Sequence, residues 1–270
     1  MKKYLIGLLI YFSLYPILSA AITVSPMTIN QTFEEGKSYQ LSLLIKNTSE
    51  SPKGFRLYAG DRVFDKFGSS KAAKPGMNPR SCLDWLEFPQ GIINLGAKER
   101  KQLFFTVKVP DSVHGTYWAN LYVEETKPSQ QIKADKPGVK VNVLWRSQVS
   151  LNFTVHSVRE INAGISRMEI KQNSSGKRYL EIEIMNTCPE KIMCRGYCEI
   201  RDQYGNTLEK MNLHQEGEFS IYPGYSRIVM SKFFSTDFKT GIYPCIAVLD
   251  FGGENLIAGQ TILKISGEQK

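Results

Sequence analysis

The side chains able to do chemistry are few and scattered. His114, His156 and His214 are the only histidines, and none sits in a metal or nucleophile spacing such as H-E-x-x-H. No G-x-S-x-G elbow and no phosphate-cradling glycine loop occurs. Asp61, Asp65, Asp84 and Glu87 fall in or beside loops, where acids of a basic chain are ordinarily solvated. The cysteines Cys82, Cys188, Cys194, Cys198 and Cys245 remain. CPEKIMC and RGYC lack C-x-x-C spacing and have no histidine close by, so the reading is no metal, no cofactor and no catalytic site.

Cysteines acquire a different meaning in an exported chain, and the N-terminus reads as an export signal. Lys2 and Lys3 precede an apolar run from Leu5 to Leu18, followed by the small residues Ser19, Ala20 and Ala21. Cleavage is expected near Ala20 or Ala21. Ser13 and Pro16 interrupt the run, which falls short of the ~20 residues of a membrane span. The expected location is periplasmic or secreted, without a stable membrane span. Disulfides are then expected among Cys188, Cys194, Cys198 and Cys245, with Cys188–Cys194 and Cys198–Cys245 the favoured pairs out of three possible sets. Cys82 is left free or available to another molecule.

The formal charge of the 270 residues is +8, and it drops by two when Lys2 and Lys3 are lost. Basic residues alternate with acids instead of forming a stripe, so no nucleic-acid partner is expected.

Period-two alternation dominates the rest. SYQLSLLIKN places Tyr39, Leu41, Leu43 and Ile45 on one face, KQLFFTVKVP places Leu103, Phe105, Val107 and Val109, and GTYWANLYVEE places Tyr117, Ala119, Leu121 and Val123. RYLEIEIMN, SRIVMSKFF, GIYPCIAVLDF and NLIAGQTILKI repeat the pattern in the second half, and QYGN reads as a hairpin turn. An echo links the halves: Gly96, Arg100 and the pair Gly115–Tyr117 correspond to Gly224, Arg227 and the pair Gly241–Tyr243. The fold class is all-β, two immunoglobulin-like β-sandwiches in tandem after a signal peptide. The expected boundaries are 1–21 for the signal, 22–157 for the first sandwich and 158–270 for the second, cysteine-bearing one.

One segment exceeds the needs of such a sandwich. VKVNVLWRSQVSLNFTV, residues 139–155, keeps its apolar side chains at odd positions throughout. At roughly 3.3 Å per residue it would be about 55 Å long. Either it bends near Ser147 and lines two cores, or its first part is an edge open to a partner.

The first half resembles the PapD-like periplasmic chaperones of pilus assembly. The resemblance covers residues 22–155 and rests on TVSPMTINQTFEEGKSYQLSLLIKN, Trp85 with Pro89, INLGAKERKQLFFTVKVP, GTYWANLYVEE, a polar loop and the long alternating strand. It implies a non-catalytic factor that holds an exported pilus or surface subunit by β-strand addition. Carried over by register, the matching positions are Val141, Val143 and Trp145; the open-edge reading of the strand adds Val139 and Arg146 to the expected partner-binding residues. The family's pair of carboxylate-anchoring basic residues has no match on the first strand, since no Lys or Arg occurs from Ile22 to Glu35, and its second member falls near Ser150. Arg146 is the nearest substitute. The alternative reading is a structural or adhesive spacer of a cell-surface complex.

Overall fold

The computed structural model describes residues 22–127, 130–133, 140–155 and 161–266. The signal segment and the expected boundary at 157/158 lie outside them.

The first half contains β1 (Ile22–Ser25), β2 (Thr28–Phe33), β3 (Ser38–Asn47), β4 (Lys53–Phe64), β5 (Ser70–Ala73) and β6 (Leu86–Glu87). It continues with β7 (Ile92–Leu95), β8 (Arg100–Lys108), β9 (Gly115–Glu125), β10 (Gln130–Lys133), β11 (Lys140–Val143) and β12 (Arg146–Val155). The second half contains β13 (Ala163–Gln172), β14 (Arg178–Asn186), β15 (Ile192–Arg201) and β16 (Thr207–Asn212), then β17 (Glu218–Ile221), β18 (Ser226–Met230), β19 (Gly241–Asp250) and β20 (Ile257–Ile265). A single 3-10 turn spans Leu83–Trp85, and no helix among the described residues is long and apolar enough to cross a membrane.

The fold is two β-sandwiches. In the first, a sheet ordered β1-β3-β8-β6 faces a sheet ordered β2-β12-β9-β4-β5, with β7 alongside β4. In the second, β13-β14-β18 faces β16-β15-β19-β20, with β17 also on β15. The alternation explains the layering: Leu43, Ile45, Leu103, Phe105, Val107, Leu121, Val123, Leu151 and Phe153 point between the first two sheets and form one core. Leu180, Ile182, Ile184, Cys198, Ile200, Cys245, Ala247 and Leu249 do the same in the second. Each fully buried aliphatic or phenyl side chain contributes about 1.5–3 kcal/mol relative to exposure.

The two turn glycines of the echo, Gly96 and Gly224, each bond to a buried asparagine at the end of a strand. Asn47 at the end of β3 is fully buried, with Nδ2 donating to the Gly96 carbonyl (2.8 Å) and Oδ1 accepting from Ser49 N (3.0 Å). Asn186 at the end of β14 is its counterpart: Oδ1 accepts from Cys188 N (3.0 Å), and its carbonyl accepts from Gly224 N (3.2 Å). Of the two tyrosines in the echo, Tyr243 pins a corner, its hydroxyl donating to the Lys239 carbonyl at 3.0 Å. The hairpin at QYGN forms with Gly205 in the left-handed region.

The segment 139–155 is not one continuous strand. It breaks at Leu144 and Trp145 instead of bending at Ser147, giving β11 and β12 in different sheets. β11 pairs with β10 as a two-stranded ribbon, Val143 opposite Gln130 and Lys140 opposite Lys133. Alternation in sequence runs through this break unchanged, because it records the pleat and not the identity of the neighbouring strand.

Candidate partner-binding site

β12 has two halves with different neighbours. On one side β9 accompanies it throughout, from Arg146 opposite Glu124 to Val155 opposite Gly115. On the other side β2 runs parallel to it only from Ser150 to Val155. The reason lies at the start of the chain. β1 pairs with β3 in the opposite sheet, the chain crosses over at Ser25–Met27, and β2 reaches β12 only at Thr28. Ser150 N donates to the Met27 carbonyl (2.9 Å), while the Trp145 carbonyl accepts from Glu125 N on the β9 side (2.9 Å). Backbone polar groups of alternate residues in a strand point the same way. The N–H and C=O groups of Arg146 and Gln148 therefore face the side that β2 has not yet reached, forming an edge that is open among the described residues.

The five residues singled out in the sequence are divided by this geometry. Val139 lies outside the described residues, and of Val141 only the backbone position in β11 is described. Val143 is half-buried at the end of the ribbon. Trp145 is half-buried against the first core, with its indole Nε1 enclosed and unpartnered. Leu144 between them is 49% exposed.

Arg146 is engaged elsewhere. Its Nη1 donates to the Tyr58 hydroxyl (3.3 Å) and lies 3.9 Å from Glu124 Oε2, with the guanidinium 5.0 Å from the Tyr122 ring centre. Tyr58 OH donates to Glu124 Oε2 (2.7 Å), and Arg56 also pairs with Glu124. Burial pushes the Glu124 carboxyl up, but the bonds from Arg56 and Tyr58 outweigh it and hold the group below its usual range. The bond to Tyr58 raises Arg146 further, despite partial burial.

A second cationic group lies where the sandwiches meet. Arg62 on β4 is 4% exposed, and its Nη2 donates to Asn152 Oδ1 (2.6 Å) and approaches Tyr222 OH (3.3 Å). Tyr222 OH also donates to Asn152 Oδ1 (2.7 Å), while Asn152 Nδ2 donates to Asn30 Oδ1 (2.9 Å). Arg62 Nε is buried without a partner. Lys191 stands 5.8 Å from the Tyr222 ring centre, its pKa lowered by burial and then by Arg62. Among the described residues neither cation has a carboxylate partner. Phe64 stacks on Tyr222 with ring centres 4.0 Å apart, and fully buried Trp118 packs on the same ring. Thr116 N donates to the Pro189 carbonyl (2.8 Å), and Lys191 N donates to Thr116 Oγ1 (2.8 Å). Gly115, at φ +86°, is required here: a Cβ would lie 2.1 Å from the Pro189 oxygen.

Solved structures of fimbrial chaperones are similar to the chain at TM-scores below 0.5. A chain from a chaperone–tip adhesin complex of CFA/I fimbriae is 14% identical, with TM-score 0.48 and coverage of 92% of this chain and 100% of that one. The class 5 fimbriae chaperone CfaA is 14% identical, with TM-score 0.46 and coverage of 88% and 98%. A chain from the Salmonella enterica complex of SafA pilin with the SafB chaperone is 11% identical, with TM-score 0.43 and coverage of 91% and 97%. No family model and no curated protein sequence matches the chain.

The sequence did not single out Arg62, Lys191 or Tyr222. Arg62 and Tyr222 are separated by 160 residues, and no local pattern marks two positions that meet only across a domain joint.

Proposed function

We propose that this chain is a non-catalytic, chaperone-like assembly factor of the periplasm that holds an exported pilus or surface subunit by β-strand addition. The observation that carries this reading is the open edge at Arg146 and Gln148, continuous with the β10–β11 ribbon and bordered by half-buried Val143 and Trp145. A subunit strand laid along it would gain backbone hydrogen bonds worth about 1 kcal/mol each, net. Specificity would come from where the side chains of Val143 and Trp145 meet the subunit. The place for a subunit's terminal carboxylate is the Arg62–Lys191 pair at the domain joint, since among the described residues both cations lack a carboxylate and Arg62 Nε has no partner. Arg146, already held by Tyr58 and Glu124, is not needed for that role.

Gln148→Pro tests the reading with little damage to the fold, because it removes a backbone donor only on the open side. Pull-down from periplasmic extract is compared for the mature wild type and this variant, after circular dichroism shows equal folding. A subunit retained by wild type and lost by Gln148→Pro is the expected result. The same proteins with both, or none with either, would return the chain to the spacer reading. Val143→Lys with Trp145→Glu is a harsher version, because Trp145 also packs on the core.

A further inference from the structure

All five cysteines are buried free thiols, but their surroundings differ. Cys82 belongs to the first core and is fully enclosed, which removes it from contact with another molecule. The Cys188 thiol is turned to Asn186 Oδ1 (2.9 Å) and the Glu190 carbonyl (3.2 Å). Cys198 and Cys245 lie on adjacent antiparallel strands, β15 and β19. Cys198 is opposite Ala247 and Cys245 opposite Ile200, so the two stand diagonally on the core face, and both are fully buried. Cys245 is near enough to raise the Cys198 thiol above its usual range.

We propose that Cys198 and Cys245 form a disulfide while the chain folds, and that the closed sandwich then preserves whichever redox state it sealed in. In the forming chain, the thiolate of one cysteine attacks a sulfur of an acceptor disulfide, either glutathione disulfide or a thiol–disulfide oxidase. The second thiolate displaces the acceptor from the mixed disulfide. The two cysteines lose two protons and two electrons to make one S–S bond, and the acceptor disulfide becomes two thiols. Once the sandwich has closed, this route is shut. The neighbouring Cys245 thiol and then burial push the Cys198 thiol far above its usual range, so the attacking thiolate is scarce and no oxidant reaches it.

The bridge would close the loop between positions 198 and 245 and favour folding on the order of a thousandfold through the unfolded chain. The geometry does not depend on subunit binding. Export matters only in supplying an oxidising compartment.

The test uses the mature chain in two states exposed to the same glutathione redox buffer: denatured and reduced, then refolded; or folded and reduced, then transferred. Thiols are quenched by alkylation under denaturation and located by peptide mass. The expected outcome is a peptide pair joined through Cys198 and Cys245 after refolding, and at least tenfold slower bridging in the prefolded sample. Recovery of either cysteine alkylated after refolding, or joined to any other cysteine, overturns the pairing. Equal rates in the two samples overturn the sealing. Neither result touches the open edge, so failure here and failure of the pull-down are separate findings.

Discussion

The two halves of β12 carry the same alternation and have opposite fates. Val149, Leu151, Phe153 and Val155 are enclosed between sheets, with β9 on one flank and β2 on the other from Ser150 onward. Among the described strands, Arg146 to Gln148 pair with β9 alone. Side-chain period reports which face is apolar, whereas backbone pairing is decided by where another part of the chain arrives. Here it is decided by the crossover at Ser25–Met27, more than a hundred residues away.

Substitution within the enclosed half should produce the largest effect. Phe153 is fully buried and packs on Phe33 with ring centres 5.0 Å apart. Phe153→Ala should cost about 3–5 kcal/mol in urea unfolding. Leu144→Ala, at the break, should cost under about 1 kcal/mol because the side chain is half exposed already. Comparable losses would mean that the break is packed as tightly as the core and that no open half exists.

The outer face of the enclosed half supplies the next largest effect. Asn152→Leu removes the acceptor shared by Arg62 and Tyr222 and leaves a buried guanidinium poorly bonded. A loss of about 2 kcal/mol is expected. The radius of gyration by small-angle scattering should rise as the sandwiches loosen; an unchanged value would mean that the aromatic stack of Phe64, Trp118 and Tyr222 holds the joint alone.

The fold class was legible because alternation and turn residues act locally, as in Leu103, Phe105 and Val107 on β8 or Gly205 in its hairpin. Trp118 follows Tyr117 in an alternating strand, which turns it away from the first core, and the structure supplies what it faces, Tyr222 of the second sandwich. The break at Leu144–Trp145 left no trace, since both residues suit a strand. The cationic joint was invisible because a buried Arg62 and a solvated arginine look alike until Asn152 and Tyr222 are brought beside it.

Two prolines placed on the same side of β12 would test the open edge directly. Ser150→Pro deletes the bond from Ser150 N to the Met27 carbonyl and should cost about 1–3 kcal/mol. Gln148→Pro, two residues earlier, deletes a donor with no described strand beside it and should cost under about 0.5 kcal/mol. Equal losses in urea unfolding would show that the edge is occupied by the chain itself.

The smallest effect expected concerns the polar face of the open half, where Glu124 holds Arg146 with Arg56 and Tyr58. Glu124 has a folded pKa below its ordinary value of 4.5, so its contribution is fully present above that pH and is lost as pH falls through the depressed folded value. Arg56 is 60% exposed and solvent screens the pairing, which limits the whole effect to under about 1 kcal/mol. The urea midpoint of wild type should exceed that of Glu124→Gln at pH 7, and the gap should close toward pH 3. A gap that persists at acid pH would mean that the carboxylate charge is not what fixes Arg146, leaving that arginine free to turn toward the open edge and a partner's carboxylate.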